Sequence, residues 1–69
     1  MKFETALAAL REGKLVKREN WDSIALAIRK SHTDAEKKFI VAIAKFSSVM
    51  TIWDLTQEDI LAEDWMETQ

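Results

Sequence analysis

Two short stretches of the 69-residue chain concentrate the side chains suited to holding a ligand. Arg18 stands three residues before Trp21. A guanidinium fork that grips phosphate through paired hydrogen bonds therefore lies near a ring that stacks on a purine. The second stretch is Trp53-Asp54-Leu55-Thr56-Gln57. There a second indole offers a stacking face, and Asp54 offers an acceptor for a sugar hydroxyl or a base edge. Thr56 and Gln57 open a helix, whose free N–H groups and dipole favour an anion. Each residue also has a plain structural reading. Large aromatics are mostly buried, an arginine on a basic strand is ordinarily solvated, and Thr56 serves equally as a helix cap.

Catalytic chemistry has little to work with. A hydrolase needs a nucleophile and a base set together in a pocket, whereas this chain has no cysteine, one histidine (His32) and scattered carboxylates. We therefore expect no enzyme activity and no cofactor. Glu58, Asp59, Glu63 and Asp64 read as a solvated acidic face rather than a metal site, and His32 as exposed. Met1-Lys2 runs into Phe3-Glu4-Thr5, which is no secretory leader, and no apolar run approaches a membrane span. A cysteine-free chain fits a reducing cytoplasm. The net charge of −2 is unevenly spread. Residues 1–45 hold all ten bases and six acids, while residues 46–69 hold six acids and no base. The two parts attract one another, within the fold or between subunits. The basic excess is too small for coating DNA.

These residues need a scaffold. Phe3, Ala6, Leu7 and Leu10 recur on one helical face, and Gly13 stands where a left-handed residue ends a helix; a helix over residues 3–12 follows. Residues 14–18 read as an extended basic segment and Glu19-Asn20 as a turn. Ile24, Leu26 and Ile28 alternate with Ala25, Ala27 and Arg29, the period of a strand. Residues 31–37 are polar and loop-like. Segment 38–46 is ambiguous. Phe39-Ile40-Val41-Ala42-Ile43 suits a buried strand, yet Thr33-Asp34-Ala35-Glu36 matches a capping box, and Phe39, Ile40, Ile43 and Phe46 fit a helical stripe. Ser47-Ser48 serves as a tight connection, and Val49 to Trp53 reads as a strand. Thr56 is the expected N-cap of a short helix ending near Ala62, with Asp59 at N3 and Leu55 and Ile60 at the staple positions. Trp65 and Met66 form a terminal apolar pair expected in the core. With no proline, one glycine and no repeat, residues 1–69 read as a single domain.

Three stretches carry a family likeness. They are Met1-Lys2-Phe3-Glu4…Ala6-Leu7…Leu10-Arg11-Glu12-Gly13-Lys14…Val16…Arg18…Trp21, then Trp53 to Leu61, and finally Ala62-Glu63-Asp64-Trp65. In this order and spacing the chain resembles the phage Thoeris anti-defence sponge family of the second anti-Thoeris type. The likeness covers both ends, about half of the chain, and departs at Asp54-Leu55, where relatives often carry Thr-Pro. It implies an α+β fold: an N-terminal helix, a small antiparallel sheet and a short second helix near the C-terminus. It also implies that 38–46 is a strand, against the local capping signal.

The resemblance further implies homo-oligomers, dimers or tetramers, that sequester a cyclic nucleotide immune signal such as glycocyclic ADP-ribose without cleaving it. The ligand residues would be Arg18, Trp21, Trp53, Asp54, Thr56 and Gln57, in the host cytoplasm if the chain is phage-encoded. Sixty-nine residues enclose such a ligand poorly, so the site is expected between subunits, with Trp21 and Trp53 donated by different chains. The competing reading is an inhibitor that binds a host defence protein through the acidic C-terminal region.

Overall fold

Apolar alternation and one left-handed glycine set the path of the first half of the chain. The computed structural model describes residues 1–34, 36–44, 46–47, 49–54 and 56–68. Helix α1 (Phe3–Arg11) buries Ala6, Ala9 and Leu10. It stops at Gly13, whose φ is 89°. There Gly13 N–H donates to Leu10 O and Lys14 N–H to Ala9 O, at 3.0 and 3.1 Å, so the last carbonyls are satisfied by the turn itself. The start of α1 has no side-chain cap. It is instead tied to the far end of the chain: the Met1 amine donates to the carbonyls of Glu63 and Trp65 at 3.0 and 2.8 Å, and Trp65 N–H donates to Met1 O.

Strands β1 (Leu15–Arg18), β2 (Ile24–Lys30), β3 (Lys38–Ala44), β4 (Met50–Ile52) and β5 (Trp65–Thr68) form one antiparallel sheet in the order β4-β3-β2-β1-β5. A short helix, α2 (Gln57–Leu61), lies between β4 and β5. The fold is thus α+β as expected. Val16 pairs with Leu26 and Leu26 with Ala42, and α1 packs over this face. Ala6, Ala9, Leu10, Val16, Leu26 and Trp65 make the core. Alternation sends Ala25, Ala27, Val41 and Ile43 to the opposite face. No helix covers it among the described residues, and Phe39, Met50 and Ile52 are exposed there.

The strand that the family likeness implied over 38–46 is present from Lys38 to Ala44, and Phe46 lies in a turn beyond it. The strand pairs with β2 residue by residue from Lys30↔Lys38 to Ile24↔Ala44. The local helix signal fails because its cap is engaged elsewhere. The Thr33 hydroxyl lies 3.2 Å from the Ser31 hydroxyl, and the Asp34 carboxylate accepts from Glu36 N–H at 3.0 Å, turning the chain between strands. Ala35 and Lys45 of that stretch, Ser48 of the expected connection and Leu55 of the expected staple lie outside the described residues. The expected strand Val49 to Trp53 shortens to Met50–Ile52, although Trp53 N–H still reaches Ile40 O at 3.0 Å.

The chain's end differs from expectation. Trp65 and Met66 are not a docked apolar pair but the start of β5, paired with Arg18 and Lys17 of β1. Neighbours on a strand face opposite ways. Trp65 is buried under α1, and Met66 is 41% exposed, which removes it from the core.

Two substitutions separate backbone strain from packing. Gly13→Ala should lower the unfolding free energy in urea by about 1–2 kcal/mol, the cost of a left-handed Cβ, since no neighbour lies within 4 Å of that position. Leu26→Ala, which opens a cavity under α1, should cost about 2–5 kcal/mol.

Candidate functional site

Arg18 closes β1 and points toward the chain's acidic end. Its Nε donates to Asp64 Oδ1 at 2.9 Å, Nη2 to Asp64 Oδ2 at 3.4 Å, and Nη1 to Asp59 Oδ1 at 2.9 Å. The Arg18 and Asp59 side chains are each 16% exposed. The fork expected to meet a phosphate is thus engaged by two carboxylates of its own chain. Lys14 likewise meets Glu12 and Glu67 at 3.3 Å. Three carboxylates of the acidic part, Asp59, Asp64 and Glu67, thus meet bases of the first part inside the fold.

The consequences appear in the charge states. The Arg18 hydrogen bond holds the Asp64 carboxyl below the usual carboxylate range, against an opposing effect of desolvation. The hydrogen bonds that Arg18 donates to Asp64 and then to Asp59 raise its pKa above its ordinary value.

Asp59 connects this ion pair to the aromatic residues. Its N–H donates to the Thr56 hydroxyl at 3.1 Å, which makes Thr56 the expected cap of α2. Its carbonyl accepts from Trp65 Nε1 at 2.9 Å. Trp65 then carries Phe3 and Trp21, both with ring centroids 5.3 Å away, and Trp53 at 6.0 Å. Trp21 and Trp53 meet each other edge-on at 6.5 Å. Trp21 is held at its backbone as well: its N–H donates to Arg18 O at 3.0 Å, and its carbonyl accepts from Lys17 Nζ at 2.9 Å.

Both indoles therefore come together within a single chain, which corrects the expectation that two chains donate them. Each is half-buried. They are neither sunk in the core nor fully presented, and each keeps accessible ring surface.

Asp54, Thr56 and Gln57 follow Trp53 and are exposed; Thr56 is joined to Arg18 through Asp59. They differ in what remains free. α2 is five residues long with Glu58 and Asp59 in its first turn, and these carboxylates already answer the positive end of its dipole. Its start is poorly suited to a phosphate. A cavity of about 270 Å³ lies elsewhere, on the uncovered face of the sheet beside Lys17, Asp22, Ala25 and Ile43. No group of three His, Asp or Glu suited to a metal occurs among the described residues.

Sequence reasoning missed three contributors. Phe3 was visible only as a helix-face residue. Asp59 and Asp64 were visible only as part of an acidic run. The charge asymmetry gave the sign of their partner but not its identity.

Residues 1–68 match the Thoeris anti-defense 2-like domain family, which covers nearly the whole chain. The chain belongs to that family. The match bears out the likeness carried by the two ends, and membership in this anti-defence family supports a phage anti-Thoeris function. No single curated protein shows a match. Within this Thoeris anti-defense 2-like domain, the Trp53-to-Leu61 segment and the closing Asp64-Trp65 step are the parts that Arg18 ties together. Among the described residues no helix is long and apolar enough to cross a membrane.

The ion pair has a pH signature. Asp64 titrates lower in the folded chain than unfolded, so its contribution is present above the ordinary aspartate value and is lost as the pH falls through the folded value. Urea midpoints should therefore drop as the pH is lowered below about 4. Arg18→Gln should lower the midpoint at pH 7 and flatten this acid-side drop, while a drop of unchanged size in Arg18→Gln would assign it to other carboxylates.

Proposed function

We propose that this domain captures a cyclic nucleotide immune signal, of the glycocyclic ADP-ribose kind or a cyclic oligonucleotide, and holds it without chemical change. The observation that carries the reading is the meeting of Trp21 and Trp53, half-buried and 6.5 Å apart, at the surface of an anti-Thoeris domain. Two adjacent indoles backed by a third ring make a firm stacking platform, and stacking needs no catalytic group. Asp54 supplies an acceptor for a ribose hydroxyl. Thr56 and Gln57 border the platform. Arg18 acts by holding α2 and β5 in place rather than by gripping phosphate, because its donors face Asp59 and Asp64.

Enclosure comes from a second copy. A site that holds a nucleotide tightly covers most of its surface, and one 69-residue chain leaves both rings partly open. The uncovered sheet face, with Phe39, Met50 and Ile52 exposed, is apolar in the manner of an association surface. We take the working form to be a homo-oligomer, a dimer or tetramer, in the cytoplasm of the infected cell. The competing reading, a protein-binding inhibitor using the acidic C-terminal region, loses ground because Asp59, Asp64 and Glu67 are already paired with Arg18 and Lys14.

Calorimetric titration with glycocyclic ADP-ribose and with a panel of cyclic dinucleotides tests the proposal. One ligand should bind and be recovered intact. Trp53→Ala should weaken it by roughly 1–3 kcal/mol, the worth of one stacked base, with Trp53→Phe intermediate. Ligand turnover, or binding indifferent to both tryptophans, would contradict it.

A further inference from the structure

Away from the tryptophans, the C-terminal end of α1 overlies cations that form no salt bridge with any described residue. Lys30 ends β2, Lys38 begins β3, and the two are direct cross-strand partners. Like charges so placed destabilise a hairpin. By strand alternation Lys30 shares the face of Leu26 and Ile28, the face that α1 covers. Arg11, in the last turn of α1, completes the group. The three cations rim a groove of about 580 Å³ floored by Leu7, Leu10 and Ile28.

All three cations are exposed, and none forms a salt bridge with a described residue. Lys14 and Arg18, by contrast, each hold two carboxylates. Arg11 has a local reason to stand where it does, since the C-terminal end of a helix favours a cation. Lys30 and Lys38 have none: their pairing costs stability, and no described carboxylate forms a salt bridge with either. Beside Arg11 the turn at Gly13 leaves open space, with no atom within 4 Å of where a Cβ would stand.

We propose that this groove binds a small organic diphosphate, such as a nucleoside diphosphate. Arg11, Lys30 and Lys38 would receive the phosphates, and Leu7 and Ile28 the apolar part. A groove of this volume is the size of a small-molecule site. Three cations around one groove match a compact diphosphate better than an extended nucleic-acid backbone, which calls for a longer basic track. The site stands apart from the tryptophan platform. Phe3 of that platform is at one end of α1 and Arg11 at the other, about 12 Å along a helix of this length.

The experiment is calorimetric titration with inorganic pyrophosphate and with ADP, on the intact chain and on the double variant Lys30→Gln/Lys38→Gln. Both probes should bind the intact chain, ADP no more weakly than pyrophosphate. The double variant should lose at least about tenfold in affinity, the order expected for charged hydrogen bonds. Trp53→Phe should bind like the unaltered chain, which separates this site from the proposed signal platform. Without anion the double variant should unfold at a higher urea concentration, because the repulsion is relieved. The proposal is overturned if neither probe binds, or if ADP binds tenfold more weakly than pyrophosphate. Equal affinity in the double variant, loss in Trp53→Phe, or reduced stability of the double variant would also overturn it. So would a triglutamate peptide that binds as tightly as pyrophosphate.

Discussion

The Trp65 indole lies buried beneath α1 with its N–H on the Asp59 carbonyl at 2.9 Å, and Phe3, Trp21 and Trp53 lean on its ring. Its backbone bonds to Met1 at one side and pairs with Arg18 at the other. Through this one residue the start of α1, the end of β1, the first turn of α2 and the last strand are held in a fixed relation. A small chain without cysteine, and so without disulfides, has few other means of doing so. Aromatic pairs add roughly 0.5–1.5 kcal/mol each beyond the area they bury; three such contacts meet on Trp65, and two more join its neighbours to one another.

The Arg18 network sits against this aromatic group and orients it. Asp59 alone joins Arg18, the Thr56 cap and the Trp65 indole. The Asp59 and Asp64 carboxylates are thereby drawn inward and paired with Arg18, whereas Asp54 beside Trp53 and Asp22 beside Trp21 stay exposed. The guanidinium serves as a strut between β1, α2 and β5.

Much of the scaffold was legible in local pattern. The α1 stripe, the stop at Gly13, the alternation of β2 and the Thr56 cap are short-range features, each set by residues within about one or two turns of one another. Segment 38–44 was not, because a capping-box sequence and a strand composition coincide there, and pairing with β2 decided the matter. β5 was hidden for a related reason: four residues with one buried side chain leave almost no alternation to read. At the site, the residue types were legible and their partners were not. Arg18 lies 41 and 46 positions from Asp59 and Asp64, and only the return of β5 to β1 joins them.

The central claim is that Trp21 and Trp53 form the ligand surface while Trp65 supports them from within. The indole N–H resonances of the three tryptophans report on this separately in solution. On titration with glycocyclic ADP-ribose, the Trp21 and Trp53 signals should move in a saturable way. The Trp65 signal, held by the Asp59 carbonyl, should stay in place. Saturable binding that leaves Trp21 and Trp53 unmoved would place the ligand elsewhere and contradict the claim.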